Sequence, residues 1–112
     1  MDIKKTRRDP FTVLSVAGDF DVRHSTEFKD CLTESFENGE YQIIIDLNGV
    51  RYIDSSGNGE LINGYHECRK KKGKFIVVSK NEKVNQVLRK LKIHDALNLC
   101  GDIEDAMRIG KG

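Results

Sequence analysis

Apolar and polar residues change period several times along the chain, and each change marks an element. Phe11-Thr12-Val13-Leu14-Ser15-Val16-Ala17 alternates with a period of two, with Phe11, Val13 and Ala17 on one phase, which predicts a strand. Asp9-Pro10 before it reads as a turn, with Ile3 to Arg8 pairing as a weaker edge strand. From Ser25 the period lengthens: Phe28, Cys31, Leu32, Ser35 and Phe36 form one helical stripe that stops at Asn38-Gly39. Tyr41 to Leu47 is a nearly continuous β-branched run, the pattern of a central strand covered on both faces. A second helix carries Leu61, Ile62, Tyr65 and Cys68 on one side and ends in Arg69-Lys70-Lys71-Lys72-Gly73. Phe75 to Val78 follows as a buried strand. Asn81 then caps a helix with the stripe Val84, Val87, Leu88 and Leu91. Leu97 to Cys100 reads as a short strand, and Asp102 as the cap of a last helix burying Ile103, Ala106 and Met107. The order β-β-α-β-α-β-α-β-α predicts an α/β fold: a single-layer mixed sheet of four or five strands with about four helices.

Composition narrows the classes of function. At 112 residues the chain is expected to be one domain, residues 1–112, with no internal linker or repeat. Its 19 Lys and Arg against 18 Asp and Glu are interspersed, which argues against a generic binder of nucleic-acid backbones. No apolar run is long enough to cross a membrane, so membrane insertion is not expected. Met1 to Asp9 is charged and carries no secretory signal, and Cys31, Cys68 and Cys100 show no paired spacing. Reduced thiols in a cytoplasmic protein are the simple expectation.

The informative segment runs from Ile45 to Leu61. A central strand leads through a short connection into Asp54-Ser55-Ser56-Gly57-Asn58-Gly59 at a helix start. The first N–H groups of that helix lack intrahelical partners, and Ser or Asp oxygens satisfy such groups, so hydroxyls and free donors collect at one spot.

Asp46-Leu47 followed by Val50, Ile53 and Asp54-Ser55-Ser56-Gly57-Asn58-Gly59 resembles the signature of the STAS family, the anti-sigma-factor antagonists and their relatives in sulphate transporters. Gly18-Asp19-Phe20-Asp21 is similar to that family's turn after an early strand, and the element order matches to about Met107. The resemblance implies a non-enzymatic partner-switching regulator of transcription without a cofactor. In such antagonists the first serine of the pair, here Ser55, is phosphorylated by an anti-sigma factor that is itself a serine kinase. The unphosphorylated form binds that kinase and frees a sigma factor, and a serine phosphatase resets the switch. The resemblance places Asp21, Asp54, Ser56, Gly57 and Asn58 at the partner-binding surface, with Ser56 assigned to helix capping and local hydrogen bonding. The family commonly has an apolar residue where Asn58 stands, so an Asn58 side chain facing the partner implies a more polar interface. The alternative that Asn58 favours is a STAS module that does not switch, held in a signalling scaffold or a lipid-transport complex.

Other chemistry is less well supported. His24, His66 and His94 have neither ligand nor triad spacing, no GxSxG elbow frames Ser55, and only His24 lies near enough in sequence to the Asp21 turn to approach it. No metal site is expected. The glycines at Gly57 and Gly59 lack the Lys-Ser/Thr ending of a phosphate loop, so nucleotide belongs to the kinase partner. The run Arg69 to Lys74 has no interleaved aromatic residues to stack bases and reads as a solvated helix end.

Overall fold

The computed structural model describes all 112 residues. Its elements are β1 (Asp2–Arg8), β2 (Phe11–Phe20), α1 (Ser25–Glu37), β3 (Gln42–Ile53), α2 (Ser55–Lys70), β4 (Lys74–Val78), α3 (Glu82–Lys90) and α4 (Ile103–Lys111). The strands form one sheet in the order β1-β2-β3-β4, with β1 antiparallel to β2 and the β2–β3 and β3–β4 pairs parallel. This is the expected mixed sheet with four helices.

Alternation of side chains across the strands builds two cores. Leu14, Val16, Ile43, Ile45, Phe75 and Val77 face one way and pack against Phe28 and Leu32 of α1, Leu61 and Cys68 of α2, and Val84 and Leu88 of α3. Phe11, Val13, Ile44, Ile76 and Val78 face the other way and are covered by Ala106 of α4. Both faces of the interior strands are therefore buried, which is why Ile43-Ile44-Ile45 shows no alternation. Where α2 crosses β4 the helix comes very close: a Cβ on Gly64 would lie 2.7 Å from the Phe75 ring.

Three readings of the sequence change. The central strand continues to Ile53 instead of ending near Leu47. A register shift between β2 and β3, in which Ser15 to Ala17 of β2 spans Asp46 to Gly49 of β3, brings Ala17 opposite Gly49, and Val50 and Ile53 then point into the core. Leu97 to Cys100 is not a full strand. It makes one parallel bridge, Cys100 to Val78, because Asn98 between them takes the left-handed conformation at φ 52°. Leu91 leaves the buried stripe: α3 stops at Lys90, and Leu91 is 51% exposed as its C-cap.

Each of β2, β3 and β4 feeds a helix that runs back along the sheet. The N-termini of α1, α2 and α3 consequently gather at the C-terminal edge of the parallel strands, and the helix C-termini gather at the opposite edge.

Candidate functional site

Phe20 ends β2 and Ile53 ends β3, and the two are paired in the sheet. The chain leaves these neighbouring positions by two routes, through Asp21-Val22-Arg23-His24 into α1 and through Asp54 into α2. Asp54 is the N-cap of α2. Its Oδ1 accepts the N–H groups of Ser56 at 2.9 Å and Gly57 at 3.1 Å, and its Oδ2 accepts that of Val22 at 3.1 Å. The Asp54 N–H donates to the Phe20 carbonyl at 3.2 Å. One carboxylate thus satisfies two of the helix's free donors and ties α2 to the β2–α1 turn.

This changes the role expected of Ser56. The cap is the Asp54 side chain, and Ser56 contributes only its backbone N–H because it already stands inside the first turn. Ser55, the first residue of α2, is exposed, and the cap bonds are made without its hydroxyl. The helix start is therefore fixed independently of the Ser55 hydroxyl.

Gly57 and Asn58 lie on the inward side of the same turn. A Cβ on Gly57 would stand 2.5 Å from the Phe20 carbonyl oxygen and 2.8 Å from Ile53 Cγ1, so only glycine allows α2 to sit this close to the strand ends. Asn58 is 4% exposed, and its Oδ1 is buried without a hydrogen-bond partner. The polar partner surface expected from Asn58 is not there, because helical phase turns that side chain into the core.

Asp21 is 8% exposed and held by its own turn. Its Oδ1 accepts the Arg23 N–H at 3.1 Å, and its Oδ2 accepts Arg23 Nε at 3.1 Å and Nη2 at 2.6 Å. The Arg23 guanidinium holds the Asp21 carboxyl below the usual carboxylate range, the hydrogen bond contributing most. His24 Nδ1 lies 2.9 Å from the Asp19 carbonyl and 3.0 Å from Asp21 Oδ1, both acceptors, an arrangement that suits hydrogen on this nitrogen. Asp19 pairs with Arg51 at 3.5 Å and Arg23 at 3.8 Å.

Asp19, Asp21, Arg23 and Arg51 thus form a mixed ionic network beside the Asp54 cap. The sequence reading took Asp19 only as part of the Gly18-Asp19-Phe20-Asp21 turn and missed both arginines; Asp19 meets Arg51 because Arg51 is the extra residue of β3 between Val50, opposite Gly18, and Tyr52, opposite Asp19. Exposed Val22 and Tyr52 stand on the same edge, at 67% and 56%. No group of His, Cys, Asp and Glu suited to a metal ion is present, and no helix is long and apolar enough to cross a membrane.

A model of the STAS domain matches residues 2–106. The chain belongs to the STAS domain family. The anti-sigma-B factor antagonist of Staphylococcus aureus (strain NCTC 8325 / PS 47) is 21% identical over 99 residues, covering 88% of this chain and 92% of that protein. Among solved structures, an anti-sigma factor antagonist from Mycobacterium paratuberculosis superposes with a TM-score of 0.91 at 20% identity, covering 99% of this chain and 94% of that one. SpoIIAA, a Bacillus cell fate determinant, has the same fold in its phosphorylated form, with a TM-score of 0.76 at 15% identity over 96% of this chain and 99% of that one. This STAS chain is thus a distant homologue of anti-sigma factor antagonists.

Proposed function

We propose that this STAS domain is an anti-sigma factor antagonist that switches partners through Ser55. In its unphosphorylated form it binds an anti-sigma factor that is a serine kinase and so releases a sigma factor; a serine phosphatase restores that form. The observation that carries the reading is the exposed Ser55 at the first position of α2, held in place by Asp54 and not itself needed for the cap. Relationship to antagonists supports the same reading, and SpoIIAA, itself an anti-sigma factor antagonist, is known in a phosphorylated form.

The chemistry asks little of this chain. Ser55 Oγ attacks the γ-phosphorus of ATP held by the kinase, an O–P bond forms as the bond to ADP breaks, and the hydroxyl proton passes to a base on the kinase. The product carries about −1.5 to −2 added charge and three acceptor oxygens. The helix N-terminus accommodates that charge, while Asp54 beside it keeps its carboxylate on the same turn. A partner fitted to a bare hydroxyl then meets both bulk and charge, and a loss of about 1.4 kcal/mol already weakens binding tenfold. Asp21, Asp54 and Ser56 shape the contact around Ser55. With Asn58 in the core, the feature that favoured a non-switching module no longer bears on the surface.

The test is incubation with the cognate kinase and ATP, followed by intact-mass measurement and peptide mapping. One phosphate at Ser55, lost in Ser55→Ala, is the expected result. A phosphate at another residue with Ser55 unmodified would overturn the assignment.

A further inference from the structure

The end of the molecule opposite Ser55 is basic. Arg69, Lys70, Lys71, Lys72 and Lys74 are exposed where α2 passes into β4, and Arg89, Lys90 and Lys92 are exposed at the end of α3. The two groups border neighbouring depressions that meet at Asn98, one lined by Arg69, Lys72 and Lys74 and the other by Arg89 and His94 together with one carboxylate, Asp95, which lies 3.6 Å from His94. Helix dipoles account for Arg69, Lys70, Arg89 and Lys90, which lie in last turns. They do not account for Lys72, Lys74 and Lys92, which lie beyond the helix ends and form no ion pair.

Two of these lysines occupy unfavourable backbone. Lys72 and Lys92 follow the caps of α2 and α3 with φ of 58° and 59°, the left-handed position at which glycine is the usual residue. The sequence places a long cation at both. Between Lys90 and Lys92, Leu91 is 51% exposed, and Ile109, at 40%, lines the depression shared with Arg89.

Unpaired cations interleaved with exposed aliphatic side chains match the surface of an anionic bilayer, which offers phosphate charge above an apolar layer. Nucleic acid fits less well, because the patch has no exposed aromatic side chain for stacking. We infer that the pole formed by the C-terminal ends of α2 and α3 docks on anionic phospholipid surfaces, through the cations around Lys72 and Lys92 and the exposed Leu91. Docking there leaves Ser55, at the other edge of the sheet, facing the aqueous phase and open to a kinase.

The test is sedimentation of the full chain with vesicles, half phosphatidylglycerol and half phosphatidylcholine, against pure phosphatidylcholine. Binding to the anionic vesicles alone, weakening as salt is added, is expected. The Lys72→Gly/Lys92→Gly variant relieves the left-handed strain, so it unfolds at no lower temperature than wild type yet binds roughly 30-fold more weakly, at about fivefold per cation near the surface. Lys72→Gln/Lys92→Gln, which keeps the strain, loses the same affinity. Absence of binding at low ionic strength, undiminished binding by both double variants, or tighter binding to an RNA homopolymer than to the vesicles would overturn the inference. None of these outcomes depends on whether Ser55 is phosphorylated.

Discussion

Two glycines of α2, two residues and so roughly half a turn apart, lie on opposite faces of the helix and predict opposite outcomes for the same substitution. An alanine Cβ at Gly59 meets nothing within 4 Å, so Gly59→Ala brings only the better helix propensity of alanine, about 0.5–1 kcal/mol of added stability. At Gly57 the same Cβ would lie 2.5 Å from the Phe20 carbonyl oxygen and 2.8 Å from Ile53 Cγ1. The first contact is with backbone and cannot rotate away, so α2 must move outward by most of an ångström or β2 must yield. Overpacking of this kind costs about 1–3 kcal/mol. Set against the propensity gain, Gly57→Ala is expected to lose about 1–2 kcal/mol. At about 4 °C per kcal/mol for a domain of this size, the two variants should unfold on either side of wild type, separated by roughly 8 °C. Thermal and urea unfolding followed by circular dichroism measure this. Shifts in the same direction, or a Gly57→Ala variant as stable as wild type, would show that the close approach of α2 to the strand ends is misplaced.

Three further outcomes follow from the same region and the core behind it. Asp54→Ala removes the cap of α2 and the acceptor of the Val22 N–H, and is expected to cost about 2 kcal/mol in urea unfolding; Asp54→Asn, which keeps one acceptor oxygen, should lose roughly half of that. Asn58→Leu preserves the branching and removes a buried acceptor without a partner, so the urea midpoint should rise by the equivalent of about 1 kcal/mol; a fall would mean the amide is satisfied in solution. Burial pushes the Cys68 thiol up from 9.0 to about 12. Between those values the unfolded chain gives up a proton that the folded one keeps, so stability falls as pH rises from 9 towards 12, with no effect below 9. The wild type should therefore lose stability more steeply than Cys68→Ala across that window, and equal slopes in urea midpoints against pH would contradict the burial argument.

Local signals in the sequence were sufficient wherever the physics is local. Asn81 and Asp102 cap α3 and α4 as read, because a cap is a bond between a side chain and N–H groups two or three residues on. The stripe of Phe28 and Leu32 on α1 and the covered run at Ile43 to Ile45 were legible for the same reason of period. What could not be read depends on partners far along the chain. Asn48-Gly49 looks like the end of a strand, yet β3 continues because Ala17 of β2 arrives opposite Gly49. The motif directs attention to Ser55, but that Asp54 leaves its hydroxyl free of the cap required the angle at which β3 enters α2. The pairing of Arg51 with Asp19 rests on a register shift, and the burial of Asn58 on a helical phase set by the cap.

The most direct measurement is the affinity of the anti-sigma kinase for this chain with Ser55 free and with Ser55 fully phosphorylated, by calorimetry on the same preparation. A fall of at least tenfold on phosphorylation, with an unchanged circular dichroism spectrum and unfolding temperature, is the expected result. Equal affinities for the two forms, or a loss that appears only together with unfolding, would contradict a switch at the head of α2.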